Sequence, residues 1–296
     1  MGAADVIPGV SGGTIAFMTG IYEELIGSIN AIDTYAVKML FTGRLKAFWK
    51  HINGNFLVCV FAGILLSVLS LAKLMQFLLS TYPIQTWAFF FGLIVASSIF
   101  ILRGVKDWNF KDVIFLAAGT VLGIVVCTLS PTQTPDGLWF IFLSGSIAIC
   151  AMILPGISGS FILLILGKYE YIMNAIVDMD IAVLAVFATG AAAGILAFSK
   201  FLHWLLARYH RQTLVVLAGF IIGSLVKVWP WSNMEAIVRS QFSIPEGMPG
   251  TDVISEAMAE YTGLIDYHIA GAICFAIIGF ALVTGIEMAG KALKSR

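Results

Sequence analysis

PGVSGGTIAFMTGIYE, residues 8–23, returns near the middle of the chain as PGISGSFILLILGKYE, residues 155–170. The two align without a gap at a spacing of 147 residues, and both open on Pro-Gly-x-Ser-Gly and close on Gly-x-Tyr-Glu. A second matched pair follows. KLMQFLLSTYPIQTWAFFFGLIVAS (73–97) aligns with KFLHWLLARYHRQTLVVLAGFIIGS (200–224), with Lys, Leu-Leu, Tyr, Gln-Thr and Gly in register. Self-similarity of this kind speaks about architecture before any residue is given a role. The 296 residues are 59% hydrophobic and only 11% charged, with a mean hydropathy of +0.96. Soluble domains carry about 25% charge. The prediction is an all-α polytopic membrane protein built from repeats.

Charge-free runs at 55–72, 84–102, 113–130, 181–199, 212–226 and 269–286 approach or reach the length of a span, roughly 17–25 helical residues. The run at 212–226 is the shortest, and it becomes adequate if Trp229-Pro-Trp231 forms its interfacial end. Basic residues gather in some of the connections: Lys38, Arg44, Lys46 and Lys50; then Arg103, Lys106 and Lys111; then Arg208 and Arg211; and at the tail Lys291, Lys294 and Arg296. Acidic residues hold the others, with Asp136, then Asp178 and Asp180, then Glu235, Glu246, Asp252, Glu256, Glu260 and Asp266. Basic loops face the cytoplasm. Both termini are therefore expected inside, in the cytoplasmic membrane of a prokaryote, provided each PG-x-SG region returns to the side it came from.

A re-entrant hairpin and two full crossings both return the chain. The Gly-x-Tyr-Glu ends favour the hairpin. About ten helical residues separate the break from Tyr22-Glu23 and from Tyr169-Glu170, a rise of about 15 Å, or half the hydrocarbon core. A break at the midplane would bring those polar pairs to the interface. Each half then reads as one hairpin plus three spans, and the odd number inverts the second half relative to the first. The expected boundaries are 1–130 for the first repeat (hairpin 1–30, spans 54–80, 84–102 and 112–130). The second is expected at 137–296 (hairpin 137–178, spans 181–206, 212–229 and 266–290).

The chemistry available at PGVSGGT and PGISGS is that of a broken helix. Pro8 and Pro155 end the incoming segment for want of an N–H. Gly9, Gly12, Gly13, Gly156 and Gly159 allow a tight reversal and close approach of backbone to a ligand. Ser11 and Ser158 can cap the outgoing helix, with Thr14 and Ser160 adding hydroxyls. Helix ends of this type attract anions. Two of them near the midplane can hold one phosphate reached alternately from either side; the plainer reading is a tight-packing turn with no ligand. Lys73 and Lys200 are repeat-equivalent. They either snorkel to headgroups or receive a phosphate on opposite faces, aided by Arg103 and Arg208. Asp5, which has no counterpart in the second copy, is a candidate for proton or sodium coupling, and Glu23 and Glu170 for anchoring or gating.

Other functions are disfavoured. A formal net charge of zero offers nothing to nucleic acid. No HExxH, no GxxxxGK[ST] and no metal-ligand spacing of the four cysteines and four histidines occurs, so neither an enzyme nor a cofactor is expected. No positively charged leader precedes the first motif. Only seven residues stand before Pro8, whereas a charge-free run from 137 to 154 precedes Pro155. Either the first repeat has lost an arm or the start lies upstream of Met1; the second is the expectation. Oligomeric state leaves no trace in the sequence.

GAADVIPGVSGGTIAF (2–17), with its echo LPGISGSFILLILGKYE (154–170), resembles the bacterial and archaeal polyprenyl-phosphate transporter family, long catalogued as a domain of unknown function. The resemblance covers nearly the whole chain. It implies a translocase returning undecaprenyl phosphate from the outer to the cytoplasmic leaflet for cell-wall synthesis. The matching positions are Asp5, Pro8, Gly9, Ser11, Gly12, Gly13 and Thr14, then Pro155, Gly156, Ser158 and Gly159. A transporter or channel for a small soluble anion is the alternative, since it would use the same helix ends.

Overall fold

The computed structural model describes residues 1–2, 11–130, 134–135, 137–232, 237 and 267–294. Among them run thirteen α-helices: α1 Gly12–Met18, α2 Tyr22–Asn30, α3 Thr34–Phe41, α4 Leu45–His51, α5 Gly54–Thr81, α6 Pro83–Gly104, α7 Phe110–Thr128, α8 Leu138–Ile153, α9 Gly159–Ile165, α10 Tyr169–Val177, α11 Ile181–Arg208, α12 His210–Val228 and α13 Ile269–Lys294. Gly54–Leu71 within α5, together with α6, α7, α11 and α12, is long and apolar enough to cross a bilayer. The pair α9–α10, bent by 109°, makes a sixth candidate if counted as one span. α8 and Ile269–Gly285 of α13 are shorter apolar helices. The chain is an all-α, multi-spanning membrane protein.

Local chemistry sets the helix ends. Pro83 opens α6 at the position where a missing N–H costs nothing. Asn109 and Asp112 close a reciprocal capping box on α7. α8 stops at Ile153 because Leu154 precedes a proline and is extended, with φ −66° and ψ 130°. The segment 31–53, read from sequence as a loop, contains two short helices, and Asp33 caps the first by accepting from Ala36 N at 2.8 Å.

Both Gly-x-Tyr-Glu motifs depart from expectation in the same way. The apolar helix does not run ten residues to the interface; it stops after seven. Gly20 (φ 74°) and Gly167 (φ 62°) take the left-handed conformation. The N–H of Ile21 bonds to Ala16 O and that of Lys168 to Leu163 O, the long-range bond of a Schellman stop in each copy. Tyr22 and Tyr169 then begin new helices rather than ending old ones.

Packing divides the chain into two compact units, Met1–Leu69 with Ile101–Ser224, and Ser70–Phe100 with Leu225–Arg296. In the first unit α8 lies against α11 through glycines. A Cβ on Gly145 or Gly190 would strike Phe187 O or Phe142 O, and one on Gly194 would lie 2.6 Å from Ser146 O. Ser146 Oγ donates to Gly190 O at 2.8 Å across this seam. Hydrocarbon gives no solvophobic push between helices, so close backbone approach over small residues does the work. α7 and α12 meet likewise: Gly119 abuts Val216 O and Gly219 abuts Leu116 O.

In the second unit α6 and α13 repeat that exchange, with Gly279 against Phe89 O and Gly92 against Ala276 O. Phe89 and Gly92 precede Val216 and Gly219 by 127 positions, the offset of the matched segments. Leu116 and Gly119 precede Ala276 and Gly279 by 160. The same glycine–carbonyl exchange thus recurs in α7 and α13, for which no matched segment was found in the sequence.

Candidate functional site

α1 carries its polar start into the turn between α8 and α9. Ser11 and Thr14 are almost wholly buried. Ser11 caps α1 by accepting from Gly13 N at 3.0 Å, and its hydroxyl faces Leu154 O at 3.2 Å and Met152 O at 3.3 Å. Gly156 N donates to Thr14 Oγ1 at 2.9 Å. Tyr22, also buried, donates its hydroxyl to Ile153 O at 3.2 Å and meets Phe17 edge-on. The carbonyls of residues 152–154 and the N–H of 156 are thus bonded to side chains of the first motif, from a segment about 140 positions away.

Two glycines make this contact possible. A Cβ on Gly13 would sit 2.7 Å from Ile153 O. Gly156 has φ 98°, and a Cβ there would lie 3.0 Å from Ser224 Oγ. Position 13 demands close approach, and position 156 demands a backbone that other residues rarely adopt. Beyond the turn Ser158 caps α9, accepting from Phe161 N at 3.2 Å, and its Oγ lies 2.7 Å from that of Ser160. Ser160 is exposed. Gly159 packs on α8, a Cβ there falling 2.9 Å from Ala148 O. Gly12 and Pro155 are buried beside these groups. Asp5, Pro8 and Gly9 lie outside the described residues, as does most of the acidic stretch 232–266.

Among the described residues, Lys200 and Arg208, exposed on α11, are not joined to this junction by a hydrogen bond or ion pair. Arg103 is exposed near the end of α6; Lys73, exposed on α5, belongs to the second unit. Glu23 is exposed and 2.7 Å from His210 Nε2, so it ties α2 to the start of α12. Glu170 is exposed in the first turn of α10.

Several residues that matter were not singled out from sequence. Tyr22 was placed at the interface, but it is buried; its repeat mate Tyr169 is 39% exposed. Lys168 is buried, with Nζ donating to Thr134 O at 2.8 Å and lying over the Phe140 and Tyr171 rings. Ile21 stands at the equivalent position, so this cation belongs to one copy only. Arg211 clasps Asp112 with Nη2 to Oδ2 at 2.6 Å and bonds Asp107 O at 2.6 Å. Two residues had a signal: Tyr22 stands in the repeated Gly-x-Tyr-Glu motif, and Ser224, which faces Gly156, is in register with Ser97.

The fold and site define a helical multi-pass membrane protein in which two copies of one motif meet at a buried polar junction. Residues 1–244 match the VCA0040-like family, described as undecaprenyl phosphate translocase-like, and the chain belongs to that family. It is 46% identical over 233 residues to a polyprenyl-phosphate transporter of Vibrio cholerae serotype O1, covering 79% of this chain and 76% of the relative. It is 34% identical over 248 residues to a polyprenyl-phosphate transporter of Staphylococcus aureus, covering 78% and 83%. No solved structure matches.

Proposed function

We propose that this chain is a membrane translocase for polyprenyl phosphate, undecaprenyl phosphate foremost. It is a transporter rather than an enzyme, and the phosphate binds where the two PG-x-SG turns meet while the isoprenoid chain stays in lipid. The observation that carries this is the buried junction of Ser11 and Thr14 with residues 152–156, in a chain whose relatives are named for this substrate. A phosphate crossing hydrocarbon needs its hydration replaced by fixed donors, because an unpaired charge there costs many kcal/mol. Hydroxyls of Ser11, Thr14, Ser158 and Ser160, with backbone N–H groups of Gly12, Gly13, Gly156 and Gly159, are the donors at hand. Pro8, Gly9 and Pro155 shape the turns.

The inverted repeat is part of the same reading. Matched Schellman stops after α1 and α9, and matched glycine seams in α6–α13 and α12–α7, support it. Each half is then a hairpin plus three spans, 1–130 and 137–296. The basic connections place both termini in the cytoplasm. In that frame Lys73 and Lys200 serve opposite faces, with Arg103 and Arg208 inside. Glu23 gates the first hairpin and Glu170 the second, while Asp5 is the candidate for proton or sodium coupling.

The test is reconstitution into liposomes with undecaprenyl phosphate loaded in one leaflet, followed by its appearance in the other. Transfer that depends on the protein is expected. A folded protein that leaves the distribution unchanged, under proton and sodium gradients of either sign, would sink the proposal. Transport of soluble phosphate instead would establish the small-anion alternative.

A further inference from the structure

The short helices α3 and α4 expose apolar side chains that no protein surface covers among the described residues, including Phe41 (86% exposed) and Leu45 (60%). Lys38, Arg44, Lys46 and Lys50 lie among them. That mixture suits the headgroup zone of a bilayer. His51 Nε2, 3.6 Å from Asp33 Oδ1, ties the end of α4 to the cap of α3. The Ala36 N–H, aided by His51, holds the Asp33 carboxyl below the usual carboxylate range, so the cap stays charged at neutral pH.

Between α4 and the first turn of α5 is a cleft of about 490 Å³, within the range of small-molecule sites. Lys46, Lys50, Trp49, Asn53, Gly54 and Asn55 line it. Its back wall is built. The indole of Trp49 lies on Gly54, where a Cβ would come 2.5–2.9 Å from the ring, and its Nε1 donates to Asn55 Oδ1 at 2.8 Å. Asn53, at φ 52°, reaches Glu24 Oε1 at 2.8 Å, which draws that carboxylate to the amide. Lys46 and Lys50 stand one helical turn apart on the same face, and neither is in an ion pair among the described residues. From Asn55 an exposed apolar stripe ascends α5 through Val58, Phe61, Leu65, Leu66 and Leu69.

We infer that this cleft is a second lipid site: Lys46 and Lys50 take the phosphate of a phosphomonoester lipid, and its hydrocarbon chain lies along the α5 stripe. This rests on the proposed function for the identity of the lipid. Two cations one turn apart match the charge of a phosphomonoester, about −1.5 to −2 at neutral pH, better than the single charge of a phosphodiester. The stripe begins at the cleft and continues into the hydrocarbon, as a headgroup with a long chain requires. Such a site would hold the substrate at the membrane surface before or after it occupies the hairpin junction.

The experiment uses a short-chain polyprenyl phosphate carrying a diazirine on its hydrocarbon, with the full chain in nanodiscs. Cross-linking is mapped by mass spectrometry to residues 54–71. Each lysine near an interface contributes about fivefold, so Lys46→Gln with Lys50→Gln should weaken labelling roughly thirtyfold. Arginine at both positions should retain it, and Lys38→Gln should leave it unchanged. Unlabelled monoester lipid should compete, while phosphatidylglycerol and inorganic phosphate at the same concentration should not. Labelling that survives the double glutamine variant, or competition as strong from phosphatidylglycerol or inorganic phosphate, overturns the inference. Leaflet transfer by the unaltered protein separates the two readings. Transfer without lysine-dependent labelling removes this site alone, and lysine-dependent labelling without transfer removes the translocase reading.

Discussion

Thr14→Val tests the bond that joins the two motifs. Valine has the shape of threonine, so no cavity opens; what disappears is the acceptor for Gly156 N at 2.9 Å. Thr14 is 1% exposed and Gly156 is buried, which leaves water no easy access to the orphaned N–H. A buried donor without a partner costs about 1–3 kcal/mol. Thr14→Ser keeps the acceptor and gives up one methyl, about 0.8 kcal/mol, so valine should be the more harmful change although it is the better steric match. Hydrogen exchange gives the local reading. If the 152–160 backbone exchanges through opening of the junction, 1–3 kcal/mol corresponds to an acceleration of roughly 5- to 150-fold. The assay is exchange mass spectrometry on peptides covering 152–160 in nanodiscs, alongside reversible unfolding in mixed micelles. Valine at or above wild-type stability, with unchanged exchange in that segment, would refute the junction as described.

Other outcomes follow from the packing and the topology. Gly190→Val should loosen α8 from α11 by about 1–3 kcal/mol or more, because its Cβ meets Phe142 O; a melting temperature within a degree of wild type would contradict that seam. Gly159→Val and Gly12→Val should abolish leaflet transfer, whereas Ser11→Ala should slow it and also lower the melting temperature, since Ser11 caps α1 and faces two carbonyls; a Ser11→Ala protein of unchanged stability would refute the second half. Cysteines at 40 and 106 should label only from the cytoplasm and those at 133 and 250 only from outside, and the opposite pattern at 106 and 250 would break the inverted arrangement.

The long helices were legible because apolar length is a direct consequence of bilayer thickness. A helix covers five of the six charge-free runs in full, and the sixth, 113–130, as far as Thr128. The caps at Ser11 and Ser158 were legible for a related reason, since hydroxyl residues after a proline-glycine break have few local alternatives. The stop after α1 and α9 was not recovered, although its signal, Gly20 and Gly167 with a residue and then Tyr, was in plain view. Hydropathy treats Gly-x-Tyr as the polar end of a helix, whereas the left-handed glycine makes it a corner. Pairings across the fold were beyond sequence reasoning altogether. Nothing local to Tyr22 says that its hydroxyl will meet Ile153 O, or to Lys168 that it will be roofed by Phe140 and Tyr171. Those contacts are set by which helices pack against one another. The glycine seam of α6–α13 lay between these cases, because an offset of 160 is invisible until the partner helix gives each glycine a carbonyl to face.

The junction also constrains how a phosphate can use it. In the conformation described, the Ser11 hydroxyl faces the carbonyls of Met152 and Leu154, and Thr14 Oγ1 occupies the Gly156 N–H. Carbonyl oxygens facing an anion repel it, so on the translocase reading binding must exchange partners rather than add to them. The exchange is favourable in kind. Ser11 would trade a neutral carbonyl for a charged oxygen, and the Gly156 N–H would trade a hydroxyl for the same, each charge-assisted bond being roughly twice as strong as the one it replaces. A ligand shifts a conformational equilibrium only by the difference in its affinity for the two states, and here the difference resides in those exchanged bonds. The two segments that follow the motifs are unequally held while this happens. The first is tied at Glu23 to His210, an exposed contact, and the second at Lys168 to Thr134, a buried one. Separating α2 from α12 therefore requires breaking a pair already half in solvent, whereas freeing the start of α10 requires uncovering a lysine from between two aromatic rings. On this reading α2 separates from its neighbour with less resistance than α10 does.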